Sequence, residues 1–493
     1  MWIEIFEYSS VLAGIAAFIF WCYLQRKPKN FPPGPRGLPL VGYIPFMAKN
    51  PAETLMKLKG KYGSVVSVQF GQEDWVILND YDTINEAFVK QGEKFSGRPY
   101  NLSFELITKG RGFLTLDYGS TWKALRKFGH VTLREIGMGK KNMETNVVEE
   151  TKFLIENLAT RNGESINMKL NLALSNIVCR IVFGTRLKYH GSKLKHMVEI
   201  FTKNFEDNPH SRMLSTVSLA PILRFVPPFS NVVKVTSDEA DCFIAYLREF
   251  VEEHDSNFDD SDIRDFIDAF LNEMKKREKD DDVFNKIQLV RYVRDLFNAG
   301  SATTSSTLSW AFLALVSYPE CQEKIVGEIL TTFGEDGVPS MKHRHEMPYT
   351  CAFIQELMRH RTLFPLSAFH KTNEDSTLNG YNIPINTTIV PNIWAVHYDP
   401  KYFKNPREFL PDRFLDRDGK FISSNHVIPF SIGPRHCLGE QLARMDIFVF
   451  LTGILQKLKV FPRTGKPLPS FNDGVFCMVT YEPPQFDVVF ERR

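Results

Sequence analysis

The 493-residue chain is poor in the features that mark small or specialised folds. It has only seven cysteines, Cys22, Cys179, Cys242, Cys321, Cys351, Cys437 and Cys477, and no CxxC pair among them. That excludes a disulfide scaffold, a zinc ribbon and a thioredoxin-like site, and a reducing compartment is the simplest reading. An excess of charge of one sign is lacking too: 60 Lys and Arg against 58 Asp and Glu leave +2, no global field that would draw nucleic acid. There is no internal repeat, and no linker after Pro39 is long enough to separate domains. The charged runs Glu252 to Asp265 and Lys275 to Asp282 interleave both signs, as solvated helix faces and a loop do. A nucleotide fingerprint is missing as well: Gly110-Arg111-Gly112-Phe113-Leu114-Thr115 fails at its last glycine and follows no strand. What is present is an ordinary globular balance, 43% hydrophobic and 24% charged, enough for a large core, with Phe high at 41.

From Tyr8 to Leu24 the chain runs 17 residues without a charge, about 26 Å as a helix and close to the ~30 Å of a hydrocarbon core. Glu4 and Glu7 precede this run, Arg26, Lys27 and Lys29 follow it, and no Ala-x-Ala comes after. This pattern predicts a retained signal-anchor with the rest of the chain on the cytoplasmic side, not a cleaved signal peptide. Residues 1–27 read as a single transmembrane anchor helix. Residues 28–39, with Pro28, Pro32-Pro33-Gly34-Pro35 and Pro39, cannot form helix and read as a stiff proline-rich hinge. Residues 40–493 read as one large domain, mainly α with small β-sheets (α+β). Val65 to Phe70, a turn at Gly71 and Trp75 to Leu78 form a hairpin pattern. Helical spacing then dominates from Ile84 to Arg359, as in Thr151 to Ala159 and Asp262 to Met274. Strand patterns return at Ser376 to Val390, around the Asn379-Gly380 turn signal, and near Val475 to Val489.

The chemistry concentrates in Phe430-Ser431-Ile432-Gly433-Pro434-Arg435-His436-Cys437-Leu438-Gly439, which precedes a helical run through Leu442, Met445, Val449 and Leu455. A cysteine just before a helix faces unpaired N–H groups and the positive dipole end, which lowers its pKa and suits it to be a metal ligand or nucleophile. Gly433 and Gly439 permit a tight turn and close approach to something flat, and Arg435 can meet an anion beside it. Thr303 lies in a long apolar helix, where its hydroxyl bonds back to a carbonyl one turn earlier. Gly300 in the same helix costs about 1 kcal/mol relative to Ala, which points to a helix distortion or to close approach of another group. Glu356 and Arg359, at i and i+3 among Phe353, Ile354 and Leu357, read as a buried pair joined by Arg413.

The segment Phe430-x-x-Gly433-x-Arg435-x-Cys437-x-Gly439 resembles, at every fixed position, the haem-ligand signature of the cytochrome P-450 family. Glu356-Leu357-Met358-Arg359, Pro411-Asp412-Arg413-Phe414, Ala299-Gly300-Ser301-Ala302-Thr303-Thr304, Trp122-x-x-x-Arg126 and Phe95-Ser96-Gly97-Arg98-Pro99 resemble its other motifs in order, across essentially the whole chain. The resemblance is to the microsomal branch, second clan. It implies the cytochrome P-450 fold and a haem b (iron protoporphyrin IX) ligated by Cys437, whose thiolate pushes electron density onto iron and favours O–O cleavage. Phe430, Gly433 and Gly439 shape that loop, and Arg98, Trp122, Arg126, His370 and Arg435 are the implied holders of the haem carboxylates. Ala299, Gly300 and Thr303 form the implied oxygen-activation groove. Glu356, Arg359 and Arg413 form a structural network, and His397 reads as structural.

The implied activity is a monooxygenase acting on a lipophilic small molecule, whether fatty acid, steroid or xenobiotic. Electrons come from NADPH through NADPH-cytochrome P-450 reductase, with cytochrome b5 as a second donor. Lys123, Lys127, Arg134, Lys140 and Lys141 offer that partner a basic face. The implied location is the endoplasmic reticulum membrane, single-pass, with the haem-binding catalytic domain in the cytosol. Pocket positions carried over by the resemblance are Leu102 to Leu116, Phe201 to Phe205, Phe297, Leu363 to Phe369 and Phe476 to Met478. One departure stands out: Ala302 occupies the place where family members often carry an acid before the threonine, which leaves the proton route open. The competing readings are a thiolate-haem isomerase or dehydratase working without O2, towards which Ala302 leans, and a non-enzymatic haem sensor or lipid carrier. Thr303 and the basic face lean against both.

Overall fold

A computed structural model describes residues 27–493 apart from 40, 111, 138–140, 160–164, 190, 204–205, 207 and 278–280. The expected anchor of residues 1–27 lies outside the described residues but for its last position. Among the described residues no helix is long and apolar enough to cross a membrane.

The fold is mainly helical with small sheets, and its helices start where the sequence offers a cap. Asn50 accepts the Glu53 N–H and Pro51 follows it, opening α1 (Pro51–Tyr62). After strands β1 (Val65–Phe70) and β2 (Glu73–Leu78) come α2 (Tyr81–Asn85), α3 (Leu102–Thr108), α4 (Ser120–Ile136), α5 (Lys141–Ala159), α6 (Ile166–Val182) and α7 (Ser192–Thr202). Next are α8 (Pro209–Leu219), a 3₁₀ turn (Pro221–Phe225), α9 (Phe229–Ser256), α10 (Phe266–Lys275), α11 (Lys286–Ser317), α12 (Pro319–Thr332) and α13 (Pro348–His360). The sequence pattern placed a helix start near Asp262. The structure starts α10 four residues later because Asp265 turns its carboxylate onto the Asp268 N–H and caps it there.

Strands β3 (His370–Lys371), β4 (Ser376–Leu378), β5 (Tyr381–Ile383) and β6 (Thr388–Pro391) precede α14 (Ile393–His397) and α15 (Glu440–Lys457). Strands β7 (Leu458–Pro462), β8 (Val475–Cys477), β9 (Thr480–Glu482) and β10 (Val488–Arg492) close the chain. The largest sheet has the order β1-β2-β6-β3. Its β1–β2 hairpin is antiparallel, with Val65 opposite Leu78 and Phe70 opposite Glu73, and β6 joins β2 in parallel. Asn379 and Gly380 turn β4 into β5, both with positive φ, the two-residue geometry that matches strand twist. The proline-rich segment is extended, as its composition demands, and is strapped along β1: the Ser67 N–H donates to the Pro33 carbonyl and the Ser67 hydroxyl to that of Pro32.

The core is built on α5, α6, α11 and α15. Helix α11 begins at the Asn285 cap and runs 32 residues until Tyr318-Pro319 stops it. Almost all of its surface is buried. Besides its ends and the half-buried Arg291 and Asn298, a stripe at helical spacing, Leu296, Ala299, Gly300, Thr303 and Thr307, stays half-buried or exposed. Gly300 is explained by close approach, since a Cβ there would sit 2.7 Å from Val178 Cγ2 on α6, while α11 continues through it without a break.

The cysteine loop and a cluster of buried cationic side chains

The residues before α15 form a tight loop. The Ser431 N–H donates to the Ile428 carbonyl, Cys437 N–H to Phe430 O at 3.0 Å and His436 N–H to Gly433 O. Gly433 has φ +83°, and a Cβ on it would lie 1.9 Å from the Phe88 carbonyl oxygen, so the turn requires glycine twice over. Gly439, the N-cap of α15, has φ −95° and nothing within 4 Å of its added Cβ. No polypeptide atom demands glycine there, as fits a position beside a flat non-protein group.

Cys437 is exposed by surface area, yet protein surrounds it closely enough that burial dominates its acidity, which places the thiol in a cleft open to solvent. The sequence reading gave it a depressed pKa from the helix N-terminus. In the polypeptide the thiol is shifted up: burial is the largest influence, and the Gly439 amide and the Arg126 guanidinium pull the other way without overcoming it. A low-dielectric setting favours the neutral thiol, and coordination to a metal is what removes such a proton.

Around the loop, basic and donor groups crowd together. Arg126, on α4, donates to the His436 carbonyl at 2.5 Å. Arg435 donates to Ser96 O at 2.9 Å and Leu116 O at 2.7 Å, and lies 4.1 Å over the Trp122 ring. Arg98 donates to the carbonyls of Leu114, Ala368 and Phe369. Burial and the neighbouring Arg98 bring Arg435 down to about 8, and burial brings Arg98 to about 10. Asp117 is the anion acting on both, and it is shared with Lys371 at 2.7 Å. Trp122 Nε1 is buried with no hydrogen-bond partner. A half-compensated set of guanidinium groups and an orphaned indole N–H fit a buried group that carries carboxylates.

His370 belongs to the cluster differently. Its Nδ1 donates to the Phe95 carbonyl at 2.8 Å, its ring stacks on Phe88, and burial with the Arg98 charge keeps it far below its ordinary pKa. The neutral ring has spent its one N–H and offers a carboxylate only an acceptor.

Two groups missed by the sequence reading hold this region together. Asp295, on α11, accepts from the N–H groups of Phe113 and Leu114 and pairs with Arg294 at 2.6 Å. The Gln288 amide donates to Gly112 O. They fix the segment whose Leu114 and Leu116 carbonyls seat Arg98 and Arg435. Nothing in the local sequence marks Asp295, because its partners lie about 180 residues away.

Thr303 donates to Ala299 O at 2.7 Å, the back-bond expected of a helical threonine, and it sits on the uncovered stripe of α11. Of the pocket positions carried over, Phe297 and Phe201 are fully buried edge to face at 5.8 Å and present no open surface. Asn204 and Phe205 fall outside the described residues, as do Lys140 and the side chain of Lys141 from the basic face.

Away from the cleft, Glu356 and Arg359 pair bidentately at 2.7 and 2.8 Å with both side chains fully buried, and Arg413 joins at 3.0 Å. Both arginines also donate to carbonyls between His397 and Glu408. His397 is structural: Ile428 N–H donates to its Nε2 at 2.8 Å, Thr362 lies 2.6 Å from its Nδ1, and burial drives it to about 3. His254, Asp265 and Asp268 also converge, but Arg264 already clasps Asp268 and Asp265 caps α10, so that cluster is an ion-paired helix junction.

The helical fold, the cysteine loop and the carboxylate-seeking cluster define a haem-thiolate oxidoreductase, and the chain matches the Cytochrome P450 family over residues 32–490, to which it belongs. It is 34% identical to cytochrome P450 2U1 of Bos taurus, over 98% of this chain and 93% of that one. It is 38% identical to cytochrome P450 2H1 of Gallus gallus, over 90% and 89%, and 36% identical to cytochrome P450 2C3 of Oryctolagus cuniculus, over 96% and 97%. The protein is a haem-thiolate monooxygenase, using haem b and electrons from NADPH delivered through a reductase. The isomerase and sensor readings are not favoured.

Proposed function

We propose that Cys437 Sγ would ligate the haem iron and that Arg98, Trp122, Arg126 and Arg435 would hold its carboxylates, with His370 buttressing Phe95. The observation that carries this is the orphaned Trp122 Nε1 among buried guanidinium groups beside a cysteine that opens onto the cleft. When bound, the group supplies O2 activation for insertion of one oxygen atom into a lipophilic substrate. The chain's own residues do the rest. The cationic cluster orients the carboxylates, Gly433 and Gly439 set the loop, and the stripe Ala299, Gly300 and Thr303 faces the oxygen side. Glu356, Arg359 and Arg413 hold the frame on which the loop hangs. Trp122→Phe keeps the ring packing and removes one N–H to a charged acceptor, a loss of about 1.5–3 kcal/mol. Haem transfer to an apo-globin scavenger should therefore accelerate by about one to two decades.

The domain reading is an anchor over residues 1–27, a hinge over 28–39 and a catalytic domain over 40–493, single-pass in the endoplasmic reticulum membrane and facing the cytosol. Support comes from the apolar run before Arg26 and from exposed Leu219, Ile222, Phe225 and Val226, clustered in eight residues from the last residue of α8 onward, with Ile222 72% and Phe225 67% exposed. Lys127, His130 and Arg134 are exposed on α4, whose Arg126 reaches the cysteine loop, and Lys123 is tied to Glu93. This face suits the acidic surface of NADPH-cytochrome P-450 reductase or cytochrome b5. The test is turnover of a fatty acid, a steroid and an alkoxycoumarin by the full chain in phospholipid vesicles. Oxygenated product should require NADPH, reductase and O2 together. Product formed from a lipid hydroperoxide without any of the three would overturn it.

A further inference from the structure

The family's acid before the threonine is replaced by Ala302, and the structure brings a carboxyl to the same face of α11 from another element. Residues 302, 306 and 310 follow one another at i, i+4 and i+8, so they form one row along the helix. That row is covered: Ala302 is 8% exposed, Ser306 5% and Trp310 0%. Strand β9 lies along it. Trp310 Nε1 donates to Tyr481 O at 3.0 Å, which ties the strand to the helix, while Tyr481 N–H donates to Leu363 O at 2.7 Å and anchors it to the segment after α13. The next residue, Glu482, is 7% exposed and comes close enough to Ser306, one turn nearer Ala302, for that hydroxyl to lower its pKa. Ser306 also stands at i+3 from Thr303, so it lies between the Ala302 and Thr303 rows, about 5–6 Å between Cβ atoms. Helical side chains lean towards the N-terminus, which tips the Ser306 hydroxyl towards both.

We propose that Glu482 is the proton donor of this oxygenase, acting through Ser306 on Thr303 in place of the missing acid at position 302. The proposal rests on Thr303 facing the oxygen side, as argued above. Inserting one atom of O2 and reducing the other to water consumes two electrons, supplied by NADPH through the reductase, and two protons. For each proton, the Glu482 carboxyl gives its hydrogen to Ser306 Oγ, and the Ser306 hydroxyl proton passes to the Thr303 hydroxyl, directly or through one bridging water. The carboxylate regains its proton from bulk water by way of Glu206, half-buried in the segment between α7 and α8, which is reprotonated by solvent in turn.

The electrostatics agree with that role. Burial is the main influence holding Glu482 at about 7, the Ser306 and Thr480 hydroxyls pull it down, and the nearby charge of Glu206 pushes it up. Glu206 is itself raised by burial. Among the described residues no cation acts on Glu482. A carboxyl raised in this way carries its proton below about pH 7 and loses it as pH rises through that value, which is where a general acid for neutral conditions belongs.

Glu482→Gln keeps the shape and removes the titration. In the full-length holoenzyme with reductase and NADPH, and lauric acid as the added lipophile, O2 reduction beyond peroxide should fall by on the order of 10²-fold. Hydrogen peroxide formed per NADPH should rise to match, and the decline above neutral pH should disappear. Ser306→Ala should do the same, and adding Ala302→Glu to Glu482→Gln should restore the wild-type partition. In the infrared, the carbonyl stretch of a protonated buried carboxylic acid should titrate near neutrality in the wild type and be missing from Glu482→Gln, with or without turnover. Unchanged peroxide yield and pH profile in both single variants, or an infrared spectrum without that band in the wild type, overturns the proposal. Failure of the haem assignment would appear separately, as loss of the thiolate-type carbon monoxide spectrum in the wild type.

Discussion

Cys437→Ala should abolish the strongly red-shifted carbon monoxide difference band of the reduced protein and reduce NADPH-dependent oxygenation to background. The reason is chemical. Among the described residues no second thiol can take over, because Cys179, Cys321, Cys351 and Cys477 are buried and the first three are shifted upward by burial, while Cys242 lies on α9 away from the loop. Haem held by the cationic cluster without a thiolate loses the electron push that favours O–O cleavage. The measurement is the difference spectrum with and without carbon monoxide, beside an assay with reductase. A red-shifted band that persists in the variant would remove Cys437 from its role.

Glu356→Ala should leave little folded protein. Among the described residues Glu356 alone pairs with Arg359, whose side chain is fully buried, and it also accepts from Arg413 and from the Leu410 N–H. Removing it strands a guanidinium charge and a backbone donor in the interior. Breaking a buried pair on one side costs about 3–5 kcal/mol, a large part of the 5–15 kcal/mol that holds a typical domain together. Denaturant unfolding of purified protein should show the midpoint displaced to much lower denaturant, or yield no protein able to retain haem. Glu356→Gln keeps the shape and one acceptor, so it should fall between wild type and alanine. If the alanine variant unfolds at the wild-type midpoint, the network is dispensable.

Much of this architecture can be read along the chain because its causes are local. The Asn379-Gly380 pair dictates its turn, Gly433 its positive φ, and Asn285 with Pro319 the two ends of α11, and each acts through its immediate neighbours. The charged pair at Glu356 and Arg359 was legible as buried from its apolar company, and His397 as structural. What could not be read depends on residues far apart in sequence. Asp295 is one acid among many until the fold sets it against the loop at 112–116. Glu482 meets Ser306 only because β9 is bolted to α11 by Trp310. The Cys437 thiol shows the reverse failure: the local rule of a helix N-terminus pulls in the direction expected, but burial is a property of the whole molecule and outweighs it. Phe297, carried over as a pocket position by the resemblance, packs edge to face on Phe201 and is fully buried, a contact that only the fold brings about.

The crowding of Arg126 with Arg98 and Arg435, the last two sharing the Asp117 carboxylate, bears on how the protein is made. Like charges buried together oppose closure of the polypeptide by itself, so a ligand bearing two negative charges lowers the energy of the native state beyond the contacts it forms. The cofactor is then part of the folding equilibrium as well as of the chemistry. The yield of folded protein should therefore rise with the supply of haem while the chain is being made.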